Sequence, residues 1–219
     1  MPDGSADSAA ENKGGIGMLK RTISGVILVL IMIGLMYVGG ILLLVGLLAM
    51  SLIGLWEFFH AVSAGGHKPY LYLGMAGTLF YYGLIWSAIE NVWSSAIFLL
   101  YIVVFLMALM IRSVTAYPKR RVEDGALTLM GFLYVPVLFS FLYFLREQED
   151  GIFYVWYVFM ASWGCDTCAY LAGRFFGKHK MSPHLSPKKT VEGAIGGTLG
   201  AILLSMIYAF CIHSFVHVD

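Results

Sequence analysis

The apolar residues of this chain fall into blocks, and each block is about as long as a bilayer is thick. Seven stretches, 22–38, 41–61, 70–88, 93–112, 126–145, 152–172 and 194–214, are built mainly from Leu, Ile, Val, Phe, Ala and Gly. A helix needs roughly 17 to 25 such residues to cross the hydrocarbon layer. A soluble domain of 219 residues with 59% hydrophobic and 12% charged residues could not cover its own apolar surface. The expected fold is therefore all-α, a polytopic transmembrane helical bundle of about seven spans.

The charges between the blocks test that count. With the N-terminus in the cytoplasm and the spans alternating, the cytoplasmic segments hold Lys13, Lys20, Arg21, Lys68, Arg112, Lys119, Arg120, Arg121, Arg174, Lys178, Lys180, Lys188 and Lys189. That is 13 of the 14 Lys and Arg, with only Arg146 outside. Omitting one span would scramble this separation, so the positive-inside rule favours both the count and the orientation. Glu90, Glu147, Glu149 and Asp150 fall on the external side.

Residues 1–17 are small, polar and rich in Gly and Ser, and read as a disordered tail before a transmembrane domain over 18–219. Gly39-Gly40 is the expected turn between the first two spans. Cys165, Cys168 and Cys211 all lie in apolar segments, which argues against a disulfide framework. Cys165-x-x-Cys168 has no second pair and no neighbouring ligand histidines, so packing explains it better than zinc. His179 and His184 read as solvated loop residues. His213 and His217 stand i,i+4 near Asp219, with nothing else converging on them.

Chemistry concentrates at the sixth span and the polar loop after it, 173–193. Asp166 sits within the span, where a carboxylate costs at least about 2.5 kcal/mol and needs a partner, a metal or a wet cavity. Thr167 and Tyr170 could add hydrogen bonds on neighbouring faces. The stretch His184-Leu-Ser-Pro-Lys-Lys-Thr-Val-Glu-Gly-Ala-Ile-Gly-Gly197 follows. Ser186-Pro187 reads as a helix N-cap followed by proline in the first turn. Such a helix start offers free N–H groups to an anion, with Lys188, Lys189 and Thr190 beside it. Glu192 could orient a lysine or reach a metal through water. Gly193, Gly196, Gly197 and Gly200 form a small-residue face for close helix approach. The glycines of a P-loop would fall at Pro183 and Lys188, so this is not that motif. The residues predict a phosphate site at the cytoplasmic face.

The run Asp166-Thr-Cys-Ala-Tyr170, then Gly173-Arg174 with Gly177-Lys178-His179, then Ser186 to Gly197 resembles the phosphatidate cytidylyltransferase (CDP-diglyceride synthase) family. Cys168 stands where that family usually has glycine, and Val191 where it has an aromatic. The resemblance implies transfer of cytidylyl from CTP to phosphatidate with Mg²⁺, giving CDP-diacylglycerol and pyrophosphate at the inner membrane of the cell. It implies Lys188, Lys189 and Asp166 as catalytic residues, with Asp166 also toward the metal. Ser186, Thr190, Arg174, Lys178, Glu192, Gly196 and Gly197 would bind substrate.

The family pattern continues with Pro-Gly-His-Gly-Gly and Asp-Arg-x-Asp, neither of which occurs in these 219 residues. The expectation is a C-terminally shortened form. The alternatives are a CTP-dependent lipid kinase and a non-catalytic homologue. The expected partners are CTP, phosphatidate and membrane lipid, with a homodimer as an open option and no nucleic acid.

Overall fold

The computed structural model describes residues 23, 25–90, 96–183 and 186–213. The tail expected at 1–17, the linker at 91–95, His184 and His217 lie outside them. Apart from connecting turns and one short hairpin the described residues are helical, and the chain is an all-α membrane protein. Helix α1 (Gly25–Val38) is followed by α2 (Gly40–Ala64), α3 (Leu71–Glu90), α4 (Ala96–Thr115) and α5 (Val122–Phe132). A π-helical turn, Leu133–Val137, joins α5 to α6 (Leu138–Arg146). Helix α7 (Gly151–Phe159) runs through a second π-turn, Met160–Gly164, into α8 (Cys165–Phe176). Strands β1 (Lys180–Ser182) and β2 (Ser186–Thr190) precede α9 (Val191–Ile212).

Among the described residues, each expected apolar block falls almost wholly on helix. Four helices are long and apolar enough to cross a membrane: Gly40–Ala64, Ala96–Thr115, Val122–Arg146 and Val191–Ile212. Their outward faces stay apolar, as with Leu199, Leu203, Met206 and Phe210, all exposed on α9. Lipid is the solvent that such a surface fits.

The chain divides into two compact units, 1–140 and 141–219. In the first, α1 turns into α2 at Gly39 and Gly40, whose φ angles of 69° and 54° favour residues without a Cβ. Leu43, Leu47, Leu55 and Phe59 of α2 form the core with Ile85, Phe105, Leu109 and Phe132. Small residues admit the rings. A Cβ on Gly74 or Gly131 would meet the Phe59 ring within 3 Å.

Where a helix breaks inside this core, side-chain hydroxyls replace the missing backbone bonds. Pro136 has no N–H and cannot hold its place in the α ladder, which explains the π-turn around it. The Tyr82 hydroxyl donates to Pro136 O at 3.3 Å and lies 2.9 Å from Ser51 Oγ. Ser140 Oγ donates to Val137 O at 2.7 Å and sits 3.0 Å from Tyr81 Oη. No water is available at that depth to take over these bonds.

A second polar knot closes one end of the unit. The Asp124 carboxylate, buried at 3% exposure, accepts Lys68 N–H at 2.7 Å and Arg121 N–H at 2.9 Å. Thr128 Oγ1 accepts Tyr70 N–H at 2.8 Å, and Arg120 stacks over the Tyr70 ring at 4.6 Å. The α2–α3 and α4–α5 connections are thereby pinned together.

Asp124→Ala leaves two backbone N–H groups without acceptors, a loss of about 2 kcal/mol or more. The expected outcome is a clearly lower unfolding midpoint in detergent, with Asp124→Asn less affected because one acceptor oxygen survives. An unchanged midpoint in Asp124→Ala would mean that the knot contributes nothing.

Candidate functional site

The second unit is organised by a seam with very little side chain in it. Helices α8 and α9 face each other through Cys165, Cys168, Ala169, Ala172 and Gly173 on one side and Gly193, Gly196, Gly197 and Gly200 on the other. A Cβ on Gly193 would come within 3.3 Å of Gly173 Cα and 2.9 Å of Ala169 O. One on Gly197 would come within 2.8 Å of both Ala169 Cβ and Cys165 O. Lipid gives no hydrophobic drive for helix pairing, so such close packing is what holds the pair.

The start of α9 differs from the sequence expectation. Ser186 does not cap a helix; Ser186–Thr190 is extended and pairs antiparallel with β1, Lys180 opposite Thr190 and Ser182 opposite Ser186. The helix begins four residues later, with Thr190 as its N-cap. Thr190 Oγ1 accepts Gly193 N–H at 3.1 Å, and Glu192 stands in the first turn. Both readings were open to a sequence with two hydroxyl residues near a proline. Thr190 prevails because its side chain is buried in the small space left by Gly173 and Gly177. The loop expected at 173–193 is thus the end of α8, the hairpin and the first turn of α9.

The hairpin is irregular, and the irregularity matters. Two steps of β1, from Lys180 to Ser182, face four steps of β2, from Thr190 back to Ser186. The surplus residues fall among Pro187, Lys188 and Lys189, and Pro187 cannot donate to the ladder. In a regular strand neighbouring side chains point to opposite faces. Here Lys188 and Lys189 both line one cavity.

That cavity measures about 530 Å³ and lies among α8, the hairpin and the start of α9. Asp166 and Arg174 come from α8, Ser186, Lys188, Lys189 and Thr190 from β2, and Cys165, Ala169, Gly173 and Gly193 form much of the rest. Six of the ten residues singled out in the sequence therefore meet in one place. Asp166 is exposed and forms no ion pair with a lysine or arginine among the described residues. Arg174 Nη1 is 3.4 Å from Tyr170 Oη, which also lines the cavity. The π-turn at Met160–Gly164 lies just before Asp166 and widens the helix there, which resets the face that α8 presents.

The other four lie elsewhere. Gly196 and Gly197 pack against α8, Lys178 is exposed beyond its end, and Glu192 pairs with His179. Sequence reading passed over Tyr170 as a secondary donor and over Met181, which closes the cavity from β1. A tyrosine one turn after an intramembrane aspartate was the available signal for the first. Nothing in the sequence marks Met181, because its place depends on strand pairing.

A model of the cytidylyltransferase family matches residues 19–218. The chain belongs to the cytidylyltransferase family. It is 31% identical over 195 residues to the phosphatidate cytidylyltransferase of Staphylococcus haemolyticus (strain JCSC1435), covering 88% of this chain and 72% of that protein. The phosphatidate cytidylyltransferase of Staphylococcus epidermidis (strain ATCC 12228 / FDA PCI 1200) is also 31% identical over 195 residues, covering 87% and 71%. That of Staphylococcus aureus (strain COL) is 30% identical over 198 residues, covering 87% and 72%. No solved structure matches the chain. The family resemblance seen in the sequence is thus extended from the site motifs to nearly the whole chain.

The seam makes a direct prediction. Gly197→Val forces a branched side chain against Ala169 and Cys165, an overpacking cost of about 1–3 kcal/mol. The unfolding midpoint in detergent should drop by several degrees. A wild-type midpoint would show that the close packing of the seam does not matter to stability.

Proposed function

We propose that the protein transfers the cytidylyl group of CTP to phosphatidate at the cytoplasmic face of the cell membrane. A phosphate oxygen of phosphatidate attacks the α-phosphorus of CTP. A new P–O bond forms, the bond between the α-phosphorus and the bridging oxygen to the β-phosphorus breaks, and pyrophosphate leaves carrying that oxygen. The products are CDP-diacylglycerol and pyrophosphate.

One observation carries this reading. Three cations, three hydroxyls and one carboxylate line a single cavity bounded by apolar helices. Both substrates are polyanions, and their reaction needs alignment and charge neutralisation more than covalent help from the protein. Lys188, Lys189 and Arg174 hold phosphate oxygens and bring two like-charged reactants together. Ser186 donates to the same oxygens. The Thr190 oxygen is engaged by Gly193 N–H, which leaves its proton free to point at substrate.

Mg²⁺ fits this site in one way only. Among the described residues no group of three or more His, Cys, Asp or Glu could hold a metal, and Asp166 is the carboxylate at the cavity. Mg²⁺ commonly keeps several waters and binds one or two carboxylates plus substrate phosphates. Asp166 would hold it in that manner, and the ion would neutralise charge on the triphosphate. The relatives, each named phosphatidate cytidylyltransferase, support the choice of substrates.

The test uses the purified chain in detergent with Mg²⁺, phosphatidate and CTP labelled at either the α- or the γ-phosphorus. Label should enter lipid from the α-position alone. Label entering lipid only from the γ-position would identify a kinase, and no transfer from either would remove the enzymatic reading. Lys189→Ala should lower kcat/KM by about a hundredfold or more, the scale of losing one group that stabilises transition-state charge. Asp166→Asn should lose Mg²⁺-dependent turnover while inserting normally in the membrane. Full rates in both variants would show that the cavity is not where the reaction happens.

A further inference from the structure

We infer that His179 and Glu192 form a clasp that holds the lysine-bearing hairpin in position, so that both are positioning residues rather than ligands of substrate or metal. The inference rests on the cytidylyl-transfer reading for its kinetic readout, though not for its structural one.

Glu192 does not line the cavity. Both of its carboxylate oxygens lie 3.2 Å from the His179 backbone nitrogen, and Oε1 lies 2.6 Å from His179 Nδ1. The contact is returned along the backbone, since His179 O accepts Val191 N–H at 2.9 Å. That bond satisfies one of the first N–H groups of α9, which has no partner within its own helix. One residue before β1 is therefore bound three ways to the first turn of α9. Together these bonds close the loop of residues 179–192 at its base.

The hairpin needs such a closure. Two short strands in isolation are marginal in water, and this pair has a broken register. Lys188 and Lys189 are exposed, long and mobile, and each loses rotamer freedom when it grips a phosphate. Fixing the backbone beneath them beforehand reduces what substrate binding must order. Thr190, opposite Lys180 at the base of the hairpin, packs against Gly173 and Gly177, and the clasp fixes the adjoining residues at the same base. With that base loose, the bulged strand that places both lysines along the cavity has nothing to set it.

The test compares the purified full chain with His179→Ala, Glu192→Ala, the double variant and His179→Asn, whose amide nitrogen can stand in for Nδ1–H. Either alanine variant should raise KM for CTP about tenfold and leave kcat within about twofold, as expected for lost preorganisation. The double variant should be no worse than either single one, because both remove the same contact. His179→Asn should recover most of the loss. A fall in kcat with KM unchanged would instead put Glu192 at the reacting atoms, and multiplied losses in the double variant would deny that the two act together. Trypsin cleavage after Lys188 and Lys189 supplies a readout that needs no activity. Cleavage should be several-fold faster in both alanine variants, and an unchanged rate overturns the clasp. Should the wild type neither bind nor turn over CTP while the variants are cleaved faster, the clasp stands and the substrate reading fails.

Discussion

The close approach of α8 to α9 is the contact on which the site depends. Gly173 and Gly193 meet nearly backbone to backbone, and Gly196, Gly197 and Gly200 continue the contact against Ala172, Ala169 and Cys168. In lipid, apolar side chains gain nothing by leaving the surface, so helix pairs hold through dense packing of small residues. The geometry has a consequence at the polar end. The gap at Gly173 and Gly177 is the right size for Thr190, and Thr190 buried there becomes the cap that starts α9. The hairpin must then leave the seam at that point, and β2 brings its cations over Asp166 and Arg174.

A site of this kind balances opposed charges at the edge of a low-dielectric layer. Arg174, Lys188 and Lys189 would repel one another and stay hydrated in the absence of an anion. Their exposure keeps that cost low. Asp166 adds one negative charge to the same cavity, which offsets part of the repulsion and leaves the lining net positive. The first unit treats polarity in the opposite way. Asp124, Thr128, Ser140 and Tyr82 are buried and saturated with hydrogen bonds, and they serve the fold by satisfying backbone groups where helices end or break. Saturated polar groups in one unit and exposed ones around a cavity in the other separate architecture from chemistry.

The helices were legible because hydrophobic length is written directly in composition. The blocks at 41–61, 70–88 and 126–145 correspond to Gly40–Ala64, Leu71–Glu90 and Val122–Arg146. That six of the candidate residues would gather was legible as well, since a carboxylate within an apolar span and consecutive lysines beside hydroxyls have few structural uses, and these six line one cavity. The π-turns were not legible. Pro136 signals a break but not its form, and Met160–Gly164 contains no proline at all. The partnership of His179 with Glu192 was also hidden. It joins residues 13 apart across a hairpin whose strands are too short for any alternation to show.

Serine and proline before two lysines look like the opening of a helix, and in a helix the lysines would stand about 100° apart around the axis. In a regular strand they would face opposite ways. Neither arrangement sets neighbouring side chains along one face. In the bulged strand both lysines line one cavity, because its surplus residues break the alternation without adding a helical turn. Pro187 favours this outcome by withholding an N–H from the ladder within the stretch where the register slips. Bulges often re-aim a side chain, and here two adjacent lysines line the same cavity. The irregular strand that carries the consecutive lysines is fixed at its base, where Thr190 packs into the seam and His179 meets Glu192.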